Sequence, residues 1–400
     1  MMDNKVGEFD CCFKAPAFLK WSFLLGVFWI ALGVAYIPVN KVYQQGIITL
    51  LFFPTLFLLL INYKTVCKFI SFNKVFFCIL IALFFYSAIN SVFLGNYQSA
   101  KHVLYVLFFC LSGFIFVLLD FNEKLKSNFL LLILAAVTLI AFASIYNFFY
   151  VEGYNFNERM WGVIGVNHPI LGSYYIGVFL LVCFFMIVNN SKLYMLPFLI
   201  VMSAYIVFAQ SRGAYLAIFS APMLYGIFFL RKNKCFRWFL FFILSCAVLL
   251  AYFFFEQIML RGDSNRFEIM SLAIEVGIEN FWFGHGVGYD FSPHALHSTE
   301  VFQHTHNLLT NIFIELGIFG LLFFTFFWLY CFYYCYINRD MSLARFNMLL
   351  ITYSSIAFQF DAASFIAQPR LEWFLVWVPV SITFSVMAYN FLNKSNSSGI

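Results

Sequence analysis

Twelve stretches of this chain are long and apolar enough to cross a lipid bilayer, and few polar residues separate them. The hydrocarbon layer is about 30 Å thick, so a helix needs roughly 20 apolar residues to span it. Candidates lie at 18–39, 46–62, 74–94, 102–119, 128–150 and 170–188, then at 194–210, 213–230, 236–258, 308–336, 346–361 and 371–391. The expected fold is an all-α polytopic membrane protein of about 12 transmembrane helices, with residues 1–400 forming a single integral membrane domain.

Composition excludes a soluble reading. Hydrophobic residues make up 63% of the chain and charged residues only 10%, against about 25% charged in a soluble domain. With 59 Phe and a mean hydropathy of +0.88, a soluble protein of this length would expose apolar surface it could not cover. Neither an internal repeat nor a coiled-coil heptad nor a low-complexity linker divides the chain.

Orientation follows from the basic residues, which accumulate on the cytoplasmic side. With the N-terminus inside and the spans alternating, 16 of the 23 Lys and Arg fall inside and 7 outside. The seven are Lys41, Lys101, Arg159, Arg212, Arg261, Arg266 and Arg370. Losing one helix scrambles this asymmetry, so both termini are expected inside. The outer cations are mostly Arg, whose planar fork suits phosphate oxygens. All seven His also land outside, while none of the ten Cys does. Disulfides are therefore not expected, although that face would permit them. Any chemistry is expected on the outer face.

One outer loop dominates, residues 259–307 between spans nine and ten. From Arg266 to Glu275 its apolar residues fall near helical spacing, as in an amphipathic helix lying on the membrane surface. A turn follows at Gly284-His285-Gly286-Val287-Gly288. This is not a nucleotide fingerprint, since no strand precedes it and no βαβ unit surrounds it.

The sharpest local pattern is His306-Asn307, nine residues, then Gly317-Ile318-Phe319-Gly320. Eleven residues make about three turns, which predicts that His306 and Gly317 share one helix face. A small residue there would let a neighbouring helix approach closely. An imidazole at that position can act as a base at neutral pH; the spacing equally suits an ordinary interfacial His capping a helix. In Ser211-Arg212-Gly213, Arg212 opens span eight, where a cation opposes the helix dipole. A bound anion would relieve that mismatch, although an Arg snorkelling to lipid headgroups reads the same way. Arg159 and Arg266 are further candidates for an anion, with Arg261 and Arg370 weaker members of the set; single outer arginines are also commonly solvated or paired. Glu315 inside span ten and Asp361 at the end of span eleven are carboxylates near membrane depth, hence functional candidates. A metal site from His294 and His297, or from His304 and His306, lacks a carboxylate or Cys at firm ligand spacing, and none is expected.

These residues resemble a known family. His306-Asn307-x9-Gly317-x2-Gly320 is similar to the signature of bacterial O-antigen ligases, and Arg212-x3-Leu216 resembles a second motif of that family. The stretch from Arg266 to Gly288 resembles its outer-loop pattern, and Arg159 with Asn167-His168-Pro169 is similar to another segment. Specific motifs cover residues 159 to 320, and the topology covers the whole chain. The resemblance implies a GT-C-like membrane glycosyltransferase fold with a long periplasmic loop. It implies transfer of a glycan from an undecaprenyl diphosphate carrier to a sugar hydroxyl on lipid A-core, in lipopolysaccharide biosynthesis, without metal, nucleotide or other cofactor. His306 would deprotonate the acceptor hydroxyl, and Arg159, Arg212 and Arg266 would hold the departing diphosphate, with inversion at the anomeric carbon. Asn307, Arg261, His168, Glu315 and Asp361 are secondary candidates.

The implied partners are the lipid-linked glycan donor, lipid A-core or another glycan acceptor, and membrane lipids, with no nucleic acid. The implied location is the bacterial inner membrane, with the active site facing the periplasm. Two features depart from the pattern: the outer loop is short for a large acceptor, and His304 lies beside His306. O-antigen polymerases and protein O-oligosaccharyltransferases share donor and fold with ligases and remain alternatives. A polysaccharide or lipid transporter would place charges or helix breaks at mid-membrane in paired halves; here polar residues gather at one face.

Overall fold

The computed structural model describes residues 13–95, 97–230, 266–292, 304–362 and 365–398. Candidate span 236–258, Arg261, His294 and His297 lie outside the described residues. Every regular element among those described is helical. In chain order they are α1 (Ala17–Tyr36), α2 (Asn40–Ile61), α3 (Tyr63–Phe72), α4 (Lys74–Phe93), α5 (Tyr97–Leu118), α6 (Glu123–Val151) and α7 (Pro169–Asn190). Then come α8 (Leu193–Ala209), α9 (Arg212–Phe229), α10 (Arg266–Glu279), α11 (Leu308–Ile337), α12 (Ser342–Ala357) and α13 (Trp373–Ser398).

Nine of these, α1, α2, α4, α5, α6, α7, α9, α11 and α13, are long and apolar enough to cross a bilayer. The chain is an all-α polytopic membrane protein. Two of the twelve candidate spans form shorter helices: 194–210 lies in α8, and 346–361 overlaps α12, which has 16 residues.

Lipid offers no hydrophobic drive for one helix to join another, so small residues and interhelical hydrogen bonds carry association. The α5–α13 seam shows both devices. Gly113 lies so close to the Ser381 carbonyl that no side chain fits between them. Ser381 and Ser385 donate from Oγ to the carbonyls of Phe109 and Gly113, at 3.2 and 2.8 Å. Asn347 on α12 likewise donates to Pro379 O and Thr383 Oγ1 on α13, at 3.0 and 2.9 Å.

The 30-residue α11 would run about 45 Å if straight, half as long again as the hydrocarbon layer. It is broken at Gly317, whose backbone (φ 64, ψ −167) only glycine tolerates. A break leaves backbone groups without helical partners, which membrane proteins satisfy with protein. Here the segment after α10 does so. His285 N and Gly286 N donate to Ile314 O and Glu315 O, each at 2.8 Å, and Ile318 N donates to Phe281 O at 2.8 Å. Tyr86 Oη donates to Leu316 O at 2.7 Å. The Gly-rich turn carries positive φ at Gly284, Gly286 and Gly288, and neither Gly284 nor Gly317 has room for a Cβ against the other segment.

The expectation that His306 and Gly317 lie on one helix face is therefore overturned. His306 precedes the helix with φ 53, and Gly317 is a break filled by loop backbone.

Helix α10 seats Ile269 and Ala273 against Ile314 and Phe291. Its other apolar side, Phe267, Met270, Ile274 and Ile278, is exposed. Two apolar faces with Glu268, Glu275 and Glu279 between them suit a helix wedged between protein and lipid headgroups.

Candidate functional site

The site starts where α11 begins. Asn307 caps the helix, its Oδ1 accepting from Leu309 N and Thr310 N at 2.9 and 3.2 Å. Its amide donates to the Gln359 side chain at 3.0 Å, and Leu308 N donates to Phe358 O at 3.0 Å. The start of α11 is thereby bolted to the end of α12, and this bolt brings His306 to Asp361. The ring Nδ1 of His306 lies 3.1 Å from Asp361 Oδ1. Asp361 is only 2% exposed, so its carboxylate acts in a medium where charge–dipole interactions are strong. With Nδ1–H donating to the carboxylate, the Nε2 lone pair is left for proton abstraction. The left-handed backbone at His306 costs about 1 kcal/mol in an L-residue, a strain the Asn307 and Asp361 contacts hold in place. His304 lies against His306 with ring centroids 3.9 Å apart and the rings tilted by 50°, its Nε2 3.8 Å from the same Asp361 oxygen.

Two arginines reach this corner, and the helix start that carries a third, Arg212, packs against it. Arg266, the first residue of α10, places its guanidinium carbon 5.8 Å from the centre of the Phe360 ring, next to Asp361. Gly213 has no space for a Cβ between Phe360 and the Tyr174 hydroxyl, so the first turn of α9, with Arg212, abuts the same ring. Ser211 makes no side-chain cap for that helix, and its buried Oγ has no hydrogen-bond partner among the described residues. Ser211 thus offers the first N–H groups of α9 no side-chain acceptor. Arg159 donates from Nε to Ala209 O at 3.2 Å, and Gln210 donates to Glu158 O at 3.2 Å. These bonds tie the loop after α6 to the turn that delivers Arg212.

His168 caps α7, with Pro169 in the first turn where its missing N–H costs nothing. Its Nδ1 accepts from Leu171 N at 3.2 Å, which puts the ring proton on Nε2 as a donor, the tautomer opposite to that of His306. Desolvation holds its pKa below the ordinary imidazole value; Asp361 raises it in part, and Arg159 and His306 lower it further. His304 is also lowered, by burial first and then by His306, against an upward pull from Asp361. Both shifts favour the neutral ring near pH 7.

Of the residues singled out in the sequence, Arg159, His168, Arg212, Arg266, His306, Asn307 and Asp361 gather here. Glu315 does not touch His306: buried within α11, it accepts from Gly288 N at 2.9 Å and braces the Gly-rich turn. His285 is also a brace, bonded to Asn280 and to Val276 O. The sequence reading left Asp361 without a partner and missed Gln359 and Phe360; the Asn-Leu-Leu-Thr start of α11 signals the cap but not what it is bolted to. His304, His306 and Asp361 bring donor atoms within 4.8 Å of one another, a spacing a metal ion could bridge. In the observed geometry, His306 Nδ1 and Asp361 Oδ1 satisfy each other instead.

Comparison with known proteins bears on the same region. Residues 197–325, covering α8, α9, α10 and the start of α11, match a family model described as O-antigen ligase. A curated O-antigen ligase of Pseudomonas aeruginosa is similar, at 24% identity over 141 residues, 35% of this chain and 35% of that protein. The match thus spans about a third of the relative's length. Both matches support assignment of this chain to the O-antigen ligase family.

Proposed function

We propose that the chain is a metal-independent glycan ligase. It takes a glycan from an undecaprenyl diphosphate carrier and joins it to a sugar hydroxyl of lipid A-core at the periplasmic face of the inner membrane, both termini being cytoplasmic. The observation that carries the reading is the His306–Asp361 contact at 3.1 Å, set beside Arg266, Arg159 and the helix start that carries Arg212. A base oriented by a buried carboxylate is what deprotonation of a sugar hydroxyl needs. Guanidinium groups beside a helix start suit the charge that develops on a leaving diphosphate.

In the reaction, Nε2 of His306 takes the proton of the acceptor hydroxyl as its oxygen attacks the anomeric carbon of the donor sugar. The bond from that carbon to the diphosphate oxygen breaks, and the electron pair leaves with the diphosphate. Arg159, Arg212 and Arg266 offset the new charge, and the Nε2–H of His168 adds a neutral donor. Attack from the face opposite the diphosphate inverts the anomeric centre, and the proton on His306 returns to solvent. The GT-C-like fold belongs to the same proposal. A polymerase or a protein O-oligosaccharyltransferase would use the same donor half with a different acceptor.

Deleting the gene in its host, with rescue by wild type or His306→Ala, tests the reading on lipopolysaccharide gels. A ligase leaves bare lipid A-core in the deletion, with full-length glycan held on the lipid carrier, and only wild type restores the ladder. Single repeat units on the core would mean a polymerase; an unchanged ladder would overturn a role in lipopolysaccharide.

A further inference from the structure

The carboxylate that a His304–His306 metal site lacks along the sequence is supplied by the fold. Asp361, from beyond the end of α12, places its Oδ1 3.1 Å from His306 Nδ1 and 3.8 Å from His304 Nε2. Donor atoms from all three residues lie within 4.8 Å of one another. Ligand atoms bound to one tetrahedral zinc ion at about 2.0–2.2 Å stand about 3.3–3.6 Å apart, so the two separations from Oδ1 bracket what a single ion requires. The second carboxylate oxygen, Oδ2, is buried without a hydrogen-bond partner among the described residues. An unanswered buried carboxylate oxygen is costly, and a bound cation would answer it. The imidazoles of His304 and His306 are 35% and 29% exposed, so an ion can reach their nitrogens from solvent.

The surroundings select the ion. The guanidinium groups of Arg266 and Arg159 stand near this corner, which disfavours a cation held by charge alone. Imidazole nitrogens suit borderline ions such as zinc, whereas magnesium and calcium take sets of oxygen ligands. Two nitrogens and a carboxylate oxygen make a zinc set that leaves a fourth position for water. The cost to the base is specific. An ion on Nδ1 of His306 displaces the proton directed at Asp361 and leaves the ring's single proton on Nε2. That nitrogen is the one assigned to take the acceptor proton, so a metal-bound ring cannot serve as base. His304, which the transfer step leaves unused, is the ligand that turns a His–Asp pair into a three-point site.

We propose that His304, His306 and Asp361 form an inhibitory zinc site, in which the ion occupies the base and switches off transfer. The inhibitory role rests on the ligase reading above; the metal site itself does not. The test is calorimetric titration of zinc chloride into the metal-stripped full chain in detergent, with transfer kinetics at the same zinc concentrations. Wild type should bind zinc, and its kcat should fall as zinc rises while the donor KM holds. EDTA should restore the rate, and magnesium at equal concentration should leave it unchanged. His304→Gln and His306→Ala should each weaken zinc binding about 100-fold or more, since contacts behind metal ligands alone carry about 10- to 100-fold. Whatever its own rate, His304→Gln should keep that rate in zinc. No binding to wild type, undiminished binding in both variants, or stimulation of wild type by zinc would overturn the proposal. Inhibition that persists in His304→Gln would overturn it too, placing the zinc on the donor diphosphate instead. Zinc binding lost in both variants, in a chain that transfers no glycan to lipid A-core, would leave the metal site standing and sink the ligase reading together with the inhibitory role.

Discussion

Replacing Asp361 by Asn isolates what the buried carboxylate does for His306. The substitution keeps size and shape, so packing at a residue only 2% exposed should survive. What changes is the 3.1 Å contact to Nδ1: the acceptor loses its charge, and an amide can turn its NH2 toward the ring and favour the wrong tautomer. A hydrogen bond to a charged group contributes about 1.5–3 kcal/mol, and about 1.4 kcal/mol corresponds to tenfold in rate. The expected loss in kcat is therefore roughly 10- to 150-fold. His306→Ala removes the base itself and should cost about 10²- to 10⁴-fold. Because Asp361 acts through His306, the double variant should be no slower than His306→Ala alone. The assay is transfer from an undecaprenyl diphosphate-linked glycan to lipid A-core by purified protein in detergent, after membrane insertion of each variant is confirmed. Activity of Asp361→Asn within twofold of wild type, or losses that multiply in the double variant, would refute the coupling.

Gly317→Ala forces a side chain into backbone that only glycine tolerates, at about 1–3 kcal/mol before any clash with Trp282; a lower melting temperature in detergent is expected, and an unchanged one would show that the break is not rigid. Asn307→Ala removes the cap and the bonds to Gln359, so about 0.5–2 kcal/mol should be lost together with His306 placement, read as a fall in both melting temperature and kcat. Arg159→Lys keeps the charge but not the fork; the donor KM should rise several-fold while the acceptor KM stays, and equal shifts in both would count against diphosphate binding. For pH, the folded-state values of His168 and His304 are depressed, so on acidification the unfolded chain takes up protons first. The stability they carry is whole above the ordinary imidazole value of about 6.5 and is lost as pH falls through it and on through the folded values. The melting temperature of a His168→Gln, His304→Gln variant should fall less steeply over that window than that of wild type, and parallel curves would contradict the assignment.

The membrane class was legible because it depends only on local runs: about 20 apolar residues suffice to cross a bilayer wherever they occur, and nine such helices stand among the described residues. Helix starts were legible for the same reason. Pro169 after His168 and the Asn-Leu-Leu-Thr opening of α11 are caps written within four residues. The gathering of Arg and His in loops that alternation assigns to one face pointed to a site, since charge is excluded from lipid whatever the packing.

Distance along the chain hid the rest. His306 and Asp361 are 55 residues apart, and only the docking of α11 on the end of α12 makes them neighbours. The Gly317 spacing was misread because periodicity presumes an unbroken helix. The loop backbone that fills the break comes from residues 281–286, and no local pattern announces that a segment so far upstream will supply hydrogen bonds there. Glu315 shows the converse: its depth in the membrane is visible from hydropathy, but only the fold turns it toward Gly288 and away from His306. Local physics chose helices, lipid and the polar end of the bundle. The packing of those helices chose which carboxylate serves the base, which one braces a turn, and where the arginines converge.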